Sequence, residues 1–587
     1  MASRKYPNIN SLWGTFIVEE LIRNGVDYFC ISPGSRSAPL TAAIALNKKA
    51  KSIVHFDERG TAFHALGFAS ATHRPVALIC TSGTAGANFY PAIIEASKKK
   101  IPLIVLTADR PPELLKSGAD QAIEQSGLFG KFTKWQFDLP CPTEEIKPEF
   151  VLTTIDQAVF QSKNMMPGPV HLNFMFREPL APVGKLKNFD QYLNSLVSWQ
   201  KTGQPFTRYH TAKPQNTTFD PSIITTLNTI KNGIIVVGKL PAETDPKDIV
   251  RLSRLLQWPI FPDITSGLRL GVKEQSEIIT NYHLVLTNEK IVRKLNVDGI
   301  LHLGGRMSPK RYYQFIEALK PKHYISVLAH PLRNDPLHAV TCRIQSPVLD
   351  FCLFASKAIQ KRQLSKQFSY LMKTNAAMER DVERLSLKSN TLSEISVARL
   401  ISKNAPKDSA LFLASSMPIR EMDTFASGLG NSLLIGSNRG ASGIDGTIAS
   451  AIGFAKGSGK ATTLFIGDLA FLHDLNSLAM IRDLSVPFVV VVINNNGGGI
   501  FNFLPISNRQ DIFEKYFATP HRLTFSPIAE QFGLKYKFLR NSKNFVQSYR
   551  HAVTSRQATI LEIKTNRNEN VAAHLKIFKT LRKRSQP

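Results

Sequence analysis

Short runs of consecutive apolar residues, closed by glycine, serine, asparagine or aspartate, alternate along the chain with stretches whose apolar positions recur every three to four residues. Runs of the first kind read as strands buried on both faces and the second as amphipathic helices, so the alternation predicts strand–helix units and parallel sheets. The first unit shows the pattern. Leu12, Trp13, Phe16, Ile17, Leu21 and Ile22 fall at helical spacing, Asn10 or Ser11 is available as a cap, and Gly25 suits the stop before the strand VDYFCIS.

The strands VALIC (76–80), PLIVLTA (102–108) and PVHLNF (169–174) extend a first domain over residues 1–185. Residues 186–220 are polar and proline-containing and read as a linker. A second series, GIIVVG (233–238), YHLVLT (282–287), GILHLGG (299–305) and HYISVL (323–328), predicts a central α/β domain over 221–365. A third follows over 366–587 with ALFLASS (410–416), LLIGSN (433–438), TTLFIGD (462–468), PFVVVVINNN (487–496) and TILEIK (559–564). The expected fold class is α/β, with three doubly wound parallel-sheet domains, which suits 587 residues at roughly 150 per domain.

Composition adds limits. A hydrophobic content of 43% and charged content of 20% are ordinary for a globular protein, and no apolar run approaches the ~18 residues of a membrane span. The segment MASRKYPNIN lacks the apolar core of a secretory signal, and Cys30, Cys80, Cys141, Cys342 and Cys352 have no metal-ligand spacing, so a reducing, cytoplasmic setting is expected. The net charge of +28 admits nucleic acid, anionic membrane or small polyanions as partners. The lysines 98–100 and the tail KIFKTLRKRSQP read as solvated charge, and no zinc-finger or RNA-binding signature accompanies them, so nucleic acid is not expected.

The candidate chemistry centres on GDLAFLHDLNSLAMIRDLSVPFVVVVINNNGG (467–498). One buried strand ends at Asp468 and a second at Asn494–Gly498, and strand ends on one side of a parallel sheet gather at its carboxyl edge. One carboxylate, one amide oxygen and a backbone carbonyl make the sparse, hard oxygen set that Mg²⁺ accepts when phosphates complete its shell. A helix starting near Ala470 would present N–H groups to the same diphosphate. Alone, Asp468 reads as a helix cap and the asparagines as a turn; the pairing of the two segments favours the metal. The arrangement resembles the thiamine-diphosphate motif, with Leu469 where a third glycine is usual.

In HFDERGTAFHALGFASA (55–71), Glu58 falls at a strand-to-helix junction before a small-residue helix suited to close packing. By itself it is a first-turn carboxylate favoured by the helix dipole. Thiamine enzymes need one glutamate in an apolar setting beside the aminopyrimidine, able to share a proton with the ring so that the thiazolium C2 can be deprotonated.

Further runs sharpen the likeness: ISPGSRSAPLT (31–41), TSGTAGANFYPAIIEA (81–96), LTADRPPEL (106–114), GADQAIEQ (118–125), SNRGASGIDG (437–446) and INNNGGGIFNFLP (493–505). With HFDERG, they resemble the 2-succinyl-5-enolpyruvyl-6-hydroxy-3-cyclohexene-1-carboxylate (SEPHCHC) synthases of menaquinone biosynthesis, well over the first and third domains and loosely over the middle one. The resemblance implies a pyrimidine-binding domain, a central domain and a diphosphate-binding domain, with the site built between subunits of a homodimer or homotetramer. It implies decarboxylation of 2-oxoglutarate on thiamine diphosphate and addition of the succinyl carbanion equivalent to isochorismate. By motif position, Glu58 activates the cofactor; Asp468, Asn495 and the Gly497 carbonyl hold Mg²⁺, or Mn²⁺ in its place; and Ile444 props the cofactor in its bent form. Ser82, Gly83, Ile500 and Phe501 complete the cofactor's surroundings.

Both substrates of that reaction carry two carboxylates, and arginine's planar fork suits them. Arg36, Arg110, Arg420 and Arg439 are the candidates, with Ser32, Gln121 and Ser416 as neutral hydrogen-bonding groups and Lys290 from the middle domain. Two positions depart from the family pattern: Asp120 replaces an asparagine beside Gln121, and Gly499 replaces a polar residue before Ile500. Ser82–Gly86, read from the residues alone, is an anion cradle before a helix, although the family places it near the pyrimidine. The competing readings are an acetolactate-synthase-like thiamine enzyme using pyruvate, a nucleic-acid-binding α/β protein, and a flavin or nicotinamide protein built on GILHLGGRM, which lacks a full Gly-x-Gly-x-x-Gly.

Overall fold

The computed structural model describes residues 5–211, 219–241, 244–272 and 276–583. Residues 1–4 of the N-terminal segment, 212–218 of the expected linker and 584–587 of the basic tail lie outside the described residues. The chain forms two compact units: Met1–Lys213 with Asn438–Gly459 and Leu472–Val486, and Pro214–Ser437 with Lys460–Phe471 and Pro487–Pro587.

The first unit is built on a six-stranded parallel sheet with the lateral order Lys51–Val54, Tyr28–Ile31, Val76–Cys80, Leu103–Asp109, Val170–Met175, Gln136–Leu139. The second unit holds two parallel sheets. Its five-stranded sheet runs Ile260–Pro262, Gly233–Val237, Gly299–Leu303, His323–Leu328, Cys342–Gln345. Its six-stranded sheet runs Leu434–Ser437, Ala410–Leu413, Thr462–Gly467, Phe488–Asn494, Thr559–Lys564, Lys535–Leu539. Counted in chain order within each sheet, both six-stranded sheets read 2-1-3-4-6-5 and the central one 2-1-3-4-5. Each therefore reverses direction between its first and third strands, the crevice where open α/β sheets bind ligands.

Within these three sheets the strands that escape the hydrophobic reading are Lys51–Val54, Gln136–Leu139, Ile260–Pro262, Cys342–Gln345 and Lys535–Leu539, and every one lies at a sheet edge. Four of them mix buried with solvated or half-solvated positions, so they carry no continuous apolar run. The opposite error occurs at YHLVLT, which is the helix Tyr282–Thr287 and not a strand. Tyr282, Leu284, Val285 and Leu286 are all buried in one core, and a short helix enclosed by apolar neighbours has the same composition as a central strand.

The first helix, Ile9–Arg23, is capped by Asn8, whose side chain accepts from Ser11 N at 2.9 Å; the predicted caps Asn10 and Ser11 are buried inside it, and Asn10 donates to the Arg177 and Pro179 carbonyls. Gly25 adopts φ +85° after its end, as the turn requires.

Residues 186–201 of the expected linker are not a bare connection. Phe189, Leu193, Leu196 and Trp199 sit in the core of the first unit on short helical turns. Two buried carboxyls hold the next stretch of chain. Glu20 accepts from Trp199 Nε1 at 2.7 Å and Phe206 N at 2.5 Å, while Asp156 accepts from Asn24 Nδ2 at 2.7 Å and Thr207 N at 2.6 Å. Burial, together with a hydrogen bond to the adjacent Asp156 carboxyl, pushes Glu20 up to about 8.

The small-residue helix Glu58–Thr72 packs against Thr447–Ser458 so closely that a Cβ on Gly67 would lie 2.0 Å from the Ser450 carbonyl, and one on Gly453 2.0 Å from that of His64. All five cysteines are unpaired, and Cys30 and Cys80 are buried on strands as small hydrophobes. No helix among the described residues is long and apolar enough to cross a membrane.

Candidate active site

In the second unit the strands Thr462–Gly467 and Phe488–Asn494 are direct neighbours, with Gly467 paired to Ile493, so Asp468 and the asparagine run leave the sheet side by side. Asp468 is buried. Its Oδ1 accepts from Leu469 N at 2.7 Å and its Oδ2 from Gly497 N at 3.0 Å, while His521 Nε2 stands 3.2 Å from the same Oδ2. Burial raises its pKa, and the bonds from Gly497, His521 and Leu469 oppose that rise. The helix expected near Ala470 begins at Asp468 and lasts only to His473, so Asp468 is its first residue.

The three asparagines do three different things. Asn494 Nδ2 donates to the Leu523 carbonyl at 3.0 Å and to buried Glu562 at 2.7 Å. Asn496, at φ +59°, accepts from His521 N at 3.0 Å and Arg522 N at 2.7 Å. Asn495 Nδ2 donates to Glu394 Oε1 at 2.9 Å, leaving a buried Oδ1 with no partner. A buried carbonyl oxygen without a donor is costly unless something electropositive reaches it.

Gly497 adopts φ +134°, and a Cβ there would meet the Ala518 carbonyl at 2.1 Å; its own carbonyl accepts from Gly499 N at 2.9 Å, which leaves one lone pair. The Asp468 carboxylate, the Asn495 oxygen and the Gly497 carbonyl are thus a donor set that fits a hard divalent cation. At Gly499, where the family pattern suggested a polar side chain, a Cβ would lie 2.7 Å from Asn495 Nδ2, so glycine keeps that amide in place. Ile500 and Phe501 follow on a half-buried turn, with Phe501 edge-on to Phe517.

Glu394 was not singled out by its sequence. It opens the helix Glu394–Asn404, is 2% exposed, and accepts from Thr565 Oγ1 at 3.1 Å on the oxygen that receives Asn495. Burial, then the Glu421 carboxylate, push it up to about 7. Buried Glu421 lies 3.0 Å from His574 Nε2. His574, whose Nδ1 bonds the Asn570 carbonyl at 2.8 Å, is lowered by burial but raised overall by Glu421.

In the first unit, Ser32, Ser82, Gly83 and Arg110 follow the carboxyl ends of three central strands of the sheet. Ser32 Oγ donates to Thr61 at 2.9 Å, and Ser82 Oγ is buried without a partner. Gly83 N donates to Gln125 Oε1 at 2.9 Å, and the following helix spans only Thr84–Asn88, so the segment is not an anion cradle as read from its residues; its glycine N–H is already used. Gln121, at φ +53°, lies against Gly83.

Arg36 is 5% exposed, donates through Nη1 to the Phe176 carbonyl at 2.8 Å, and has a buried Nε with no partner. Its pKa is lowered by burial and then by Arg110, while Glu178, 3.6 Å from Nη1, opposes the fall. Arg110 Nε donates to the Asp120 main-chain oxygen at 3.0 Å, so Asp120 meets an arginine through its backbone.

Glu58 is the half-buried first residue of its helix, whose cap is Asp57. Arg439 and Ile444 belong to a loop whose amides converge on one buried carboxylate: Glu95 accepts from Gly440 N at 2.6 Å, Ala441 N at 2.5 Å and Ser442 N at 3.3 Å. Glu95 is another residue that sequence reasoning missed, lying inside an ordinary amphipathic helix.

Of the remaining candidates, Ser416 immediately precedes the helix Met417–Phe425 at φ +72°, a strained conformation for serine of the kind that clusters at functional sites, and its carbonyl accepts from Arg420 one turn on. Lys290 is exposed and lines a cleft of about 530 Å³ with Leu575, Phe578, Lys579, Arg582 and Lys583. GILHLGG meets the end of GIIVVG backbone to backbone: a Cβ on Gly304 would lie 2.7 Å from the Lys239 carbonyl and one on Gly238 1.7 Å from the Gly305 carbonyl, and Gly305 N donates to the Lys239 carbonyl at 2.9 Å.

Three parallel sheets with switch points, and a carboxylate–amide pair at the carboxyl edge of the last, fit the class that the domain matches define, the thiamine-diphosphate-dependent α/β enzymes. Sequence models of thiamine pyrophosphate enzymes match in chain order: the N-terminal TPP binding domain over residues 13–128, the middle domain over 190–413 and the C-terminal TPP binding domain over 428–563. A solved structure of a Rhodococcus jostii thiamine diphosphate-dependent 4-hydroxybenzoylformate decarboxylase superposes with a TM-score of 0.70 at 16% identity, covering 94% of this chain and 99% of its own, a likeness of fold.

Closer relatives narrow the class. The 2-succinyl-5-enolpyruvyl-6-hydroxy-3-cyclohexene-1-carboxylate synthase of Rubrobacter xylanophilus is 44% identical over 575 residues, 98% of each chain, and that of Prosthecochloris aestuarii 41% identical over 579 residues, again 98% of each. The chain belongs to the SEPHCHC synthase family of thiamine-diphosphate enzymes.

Proposed function

We propose that this chain decarboxylates 2-oxoglutarate on thiamine diphosphate and adds the succinyl unit to isochorismate, giving SEPHCHC and CO₂ in menaquinone biosynthesis. Near-full-length identity of 44% to a relative of that name supports the reading, and the observation that carries it within the fold is the buried, unpartnered Oδ1 of Asn495 beside the Asp468 carboxylate. Thiamine diphosphate supplies a stabilised acyl-carbanion equivalent when bound.

The chain's own residues do the rest. Asp468, Asn495 Oδ1 and the Gly497 carbonyl would hold Mg²⁺, or Mn²⁺, which would supply the charge that anchors a diphosphate. Glu58 holds the proton exchanged with the aminopyrimidine, while Ser82, Gly83, Ile444, Ile500 and Phe501 shape the cofactor's surroundings. Arg36, Arg110, Arg420, Arg439 and Lys290, with Ser32, Gln121 and Ser416, bind the substrate carboxylates. Residues 1–185, 221–365 and 366–587 serve as pyrimidine-binding, central and diphosphate-binding domains. The working unit is a homodimer or a homotetramer made from it, acting in the cytoplasm on small molecules, with no nucleic-acid partner.

The test is mass spectrometry of products from 2-oxoglutarate plus isochorismate, with thiamine diphosphate and Mg²⁺ present or omitted and pyruvate as the alternative donor. SEPHCHC formation that requires the cofactor is the expected result. Turnover of pyruvate with 2-oxoglutarate left untouched would replace this reading with the acetolactate-synthase-like one.

A further inference from the structure

An asparagine amide presents an oxygen and an NH₂ group of nearly the same size, so shape alone does not decide which of them faces a cation. At Asn495 the decision falls to Glu394. Its Oε1 receives Asn495 Nδ2 at 2.9 Å and Thr565 Oγ1 at 3.1 Å, so this oxygen acts as an acceptor whether or not the carboxyl carries a proton on its other oxygen. Turning the amide over would set Asn495 Oδ1 against Glu394 Oε1 and its N–H groups toward the cation. Both contacts are repulsive in a buried place.

The carboxyl is itself held. Glu394 occupies the first turn of its helix behind a capping box in which Ser396 N donates to Ser393 Oγ at 3.1 Å and Ser393 N to Ser396 Oγ at 2.8 Å. Glycine at position 499 leaves Asn495 Nδ2 the room it needs.

We infer that Glu394 is a positioning residue: it fixes Asn495 as an oxygen donor toward the divalent cation, with Thr565 steadying the accepting oxygen. Partners of this kind behind a metal ligand commonly govern affinity by 10–100-fold. The inference rests on the assignment of Asn495 to the metal in the proposed function.

Mn²⁺ binding in the presence of thiamine diphosphate, followed by electron paramagnetic resonance on the full chain, separates the two ideas. Glu394→Leu is expected to weaken Mn²⁺ at least tenfold. Asn495→Asp, which sets a second carboxyl against Glu394, is expected to weaken it similarly, and adding Glu394→Gln to Asn495→Asp should restore binding to within about threefold of the original, because the introduced glutamine amide then donates to the new carboxylate. That rescue also covers failure of Glu394→Leu to fold. Loss of Mn²⁺ in Asn495→Ala with unchanged affinity in Glu394→Leu, or no rescue in the folded double variant, overturns the positioning role alone. Unchanged affinity in Asn495→Ala removes the metal assignment and the inference with it.

Discussion

The Glu20–Asp156 pair ties the order of the segment after Trp199 to pH. Both carboxyls are buried, Glu20 on the first helix and Asp156 on Pro148–Lys163, and between them they receive the backbone N–H groups of Phe206 and Thr207. Arg23 stacks over Trp199 at 3.9 Å but bonds the Trp199 and Gln204 carbonyls and Glu19, so burial and the neighbouring Asp156 carboxyl decide the protonation of Glu20.

Glu20 is raised from an ordinary 4.5 to about 8, so over that window the folded chain holds one proton more than the unfolded chain. The contribution is complete below about pH 4.5 and is lost as pH rises through about 8; at ~1.4 kcal/mol per pH unit it amounts to something on the order of 5 kcal/mol. Trp199 Nε1, 2.7 Å from Glu20 Oε2, is a reporter inside the pair.

The expected result is a step in Trp199 emission with a midpoint near pH 8, together with loss of hydrogen-exchange protection in a peptide spanning Phe206 and Thr207, after correction for intrinsic exchange. Glu20→Gln, which cannot ionise but keeps one acceptor oxygen for the Trp199 and Phe206 N–H groups, should show the same protection at pH 6 and pH 9.5, and Trp199→Phe should lose the optical step alone. Equal protection at pH 6 and 9.5 in the unmodified chain, or the same loss in Glu20→Gln, would refute the reasoning.

Three other outcomes are expected. Glu58→Ala should lower turnover by roughly 10²–10⁴-fold while Mg²⁺-dependent cofactor binding, measured by calorimetry, persists; full activity would remove Glu58 from the proton exchange. Gly497→Ala should abolish that same cofactor binding, since its Cβ falls 2.1 Å from the Ala518 carbonyl at φ +134°, a conformation that costs about 1–3 kcal/mol before any clash; normal binding would show that the carbonyl is not needed. Glu95→Ala should raise an apparent KM about tenfold, with a smaller effect on kcat, by releasing the loop that carries Arg439, and unchanged kinetics for both substrates would separate the loop from substrate binding.

The interior of the fold was legible because central strands of parallel sheets are apolar on both faces: VALIC, GIIVVG and PFVVVVINNN all fall where their composition predicts. The edges were not. KSIV and QFDL are largely exposed, and YHLVLT owes its apolar run to a helix buried on all sides. At the site, spacing alone brought Asp468 and Asn495 to adjacent strand ends, since two parallel strands joined by one crossover pair directly. Glu394 and Glu95 were invisible for the same reason in each case. Each acts through one long-range contact, to Asn495 101 positions away and to Gly440 345 away, and a glutamate in a helix carries no mark of such a partner.

The asparagine run also bears on how long the protein lasts. Asn496–Gly497 is the dipeptide most open to deamidation, in which the glycine nitrogen attacks the preceding side-chain carbonyl and closes a succinimide. Here that nitrogen donates to Asp468 Oδ2 at 3.0 Å, and Asn496 Oδ1 is drawn away by the His521 and Arg522 amides. The native fold therefore guards this asparagine side chain, and chains that age at this position are those that have spent time with the loop undone.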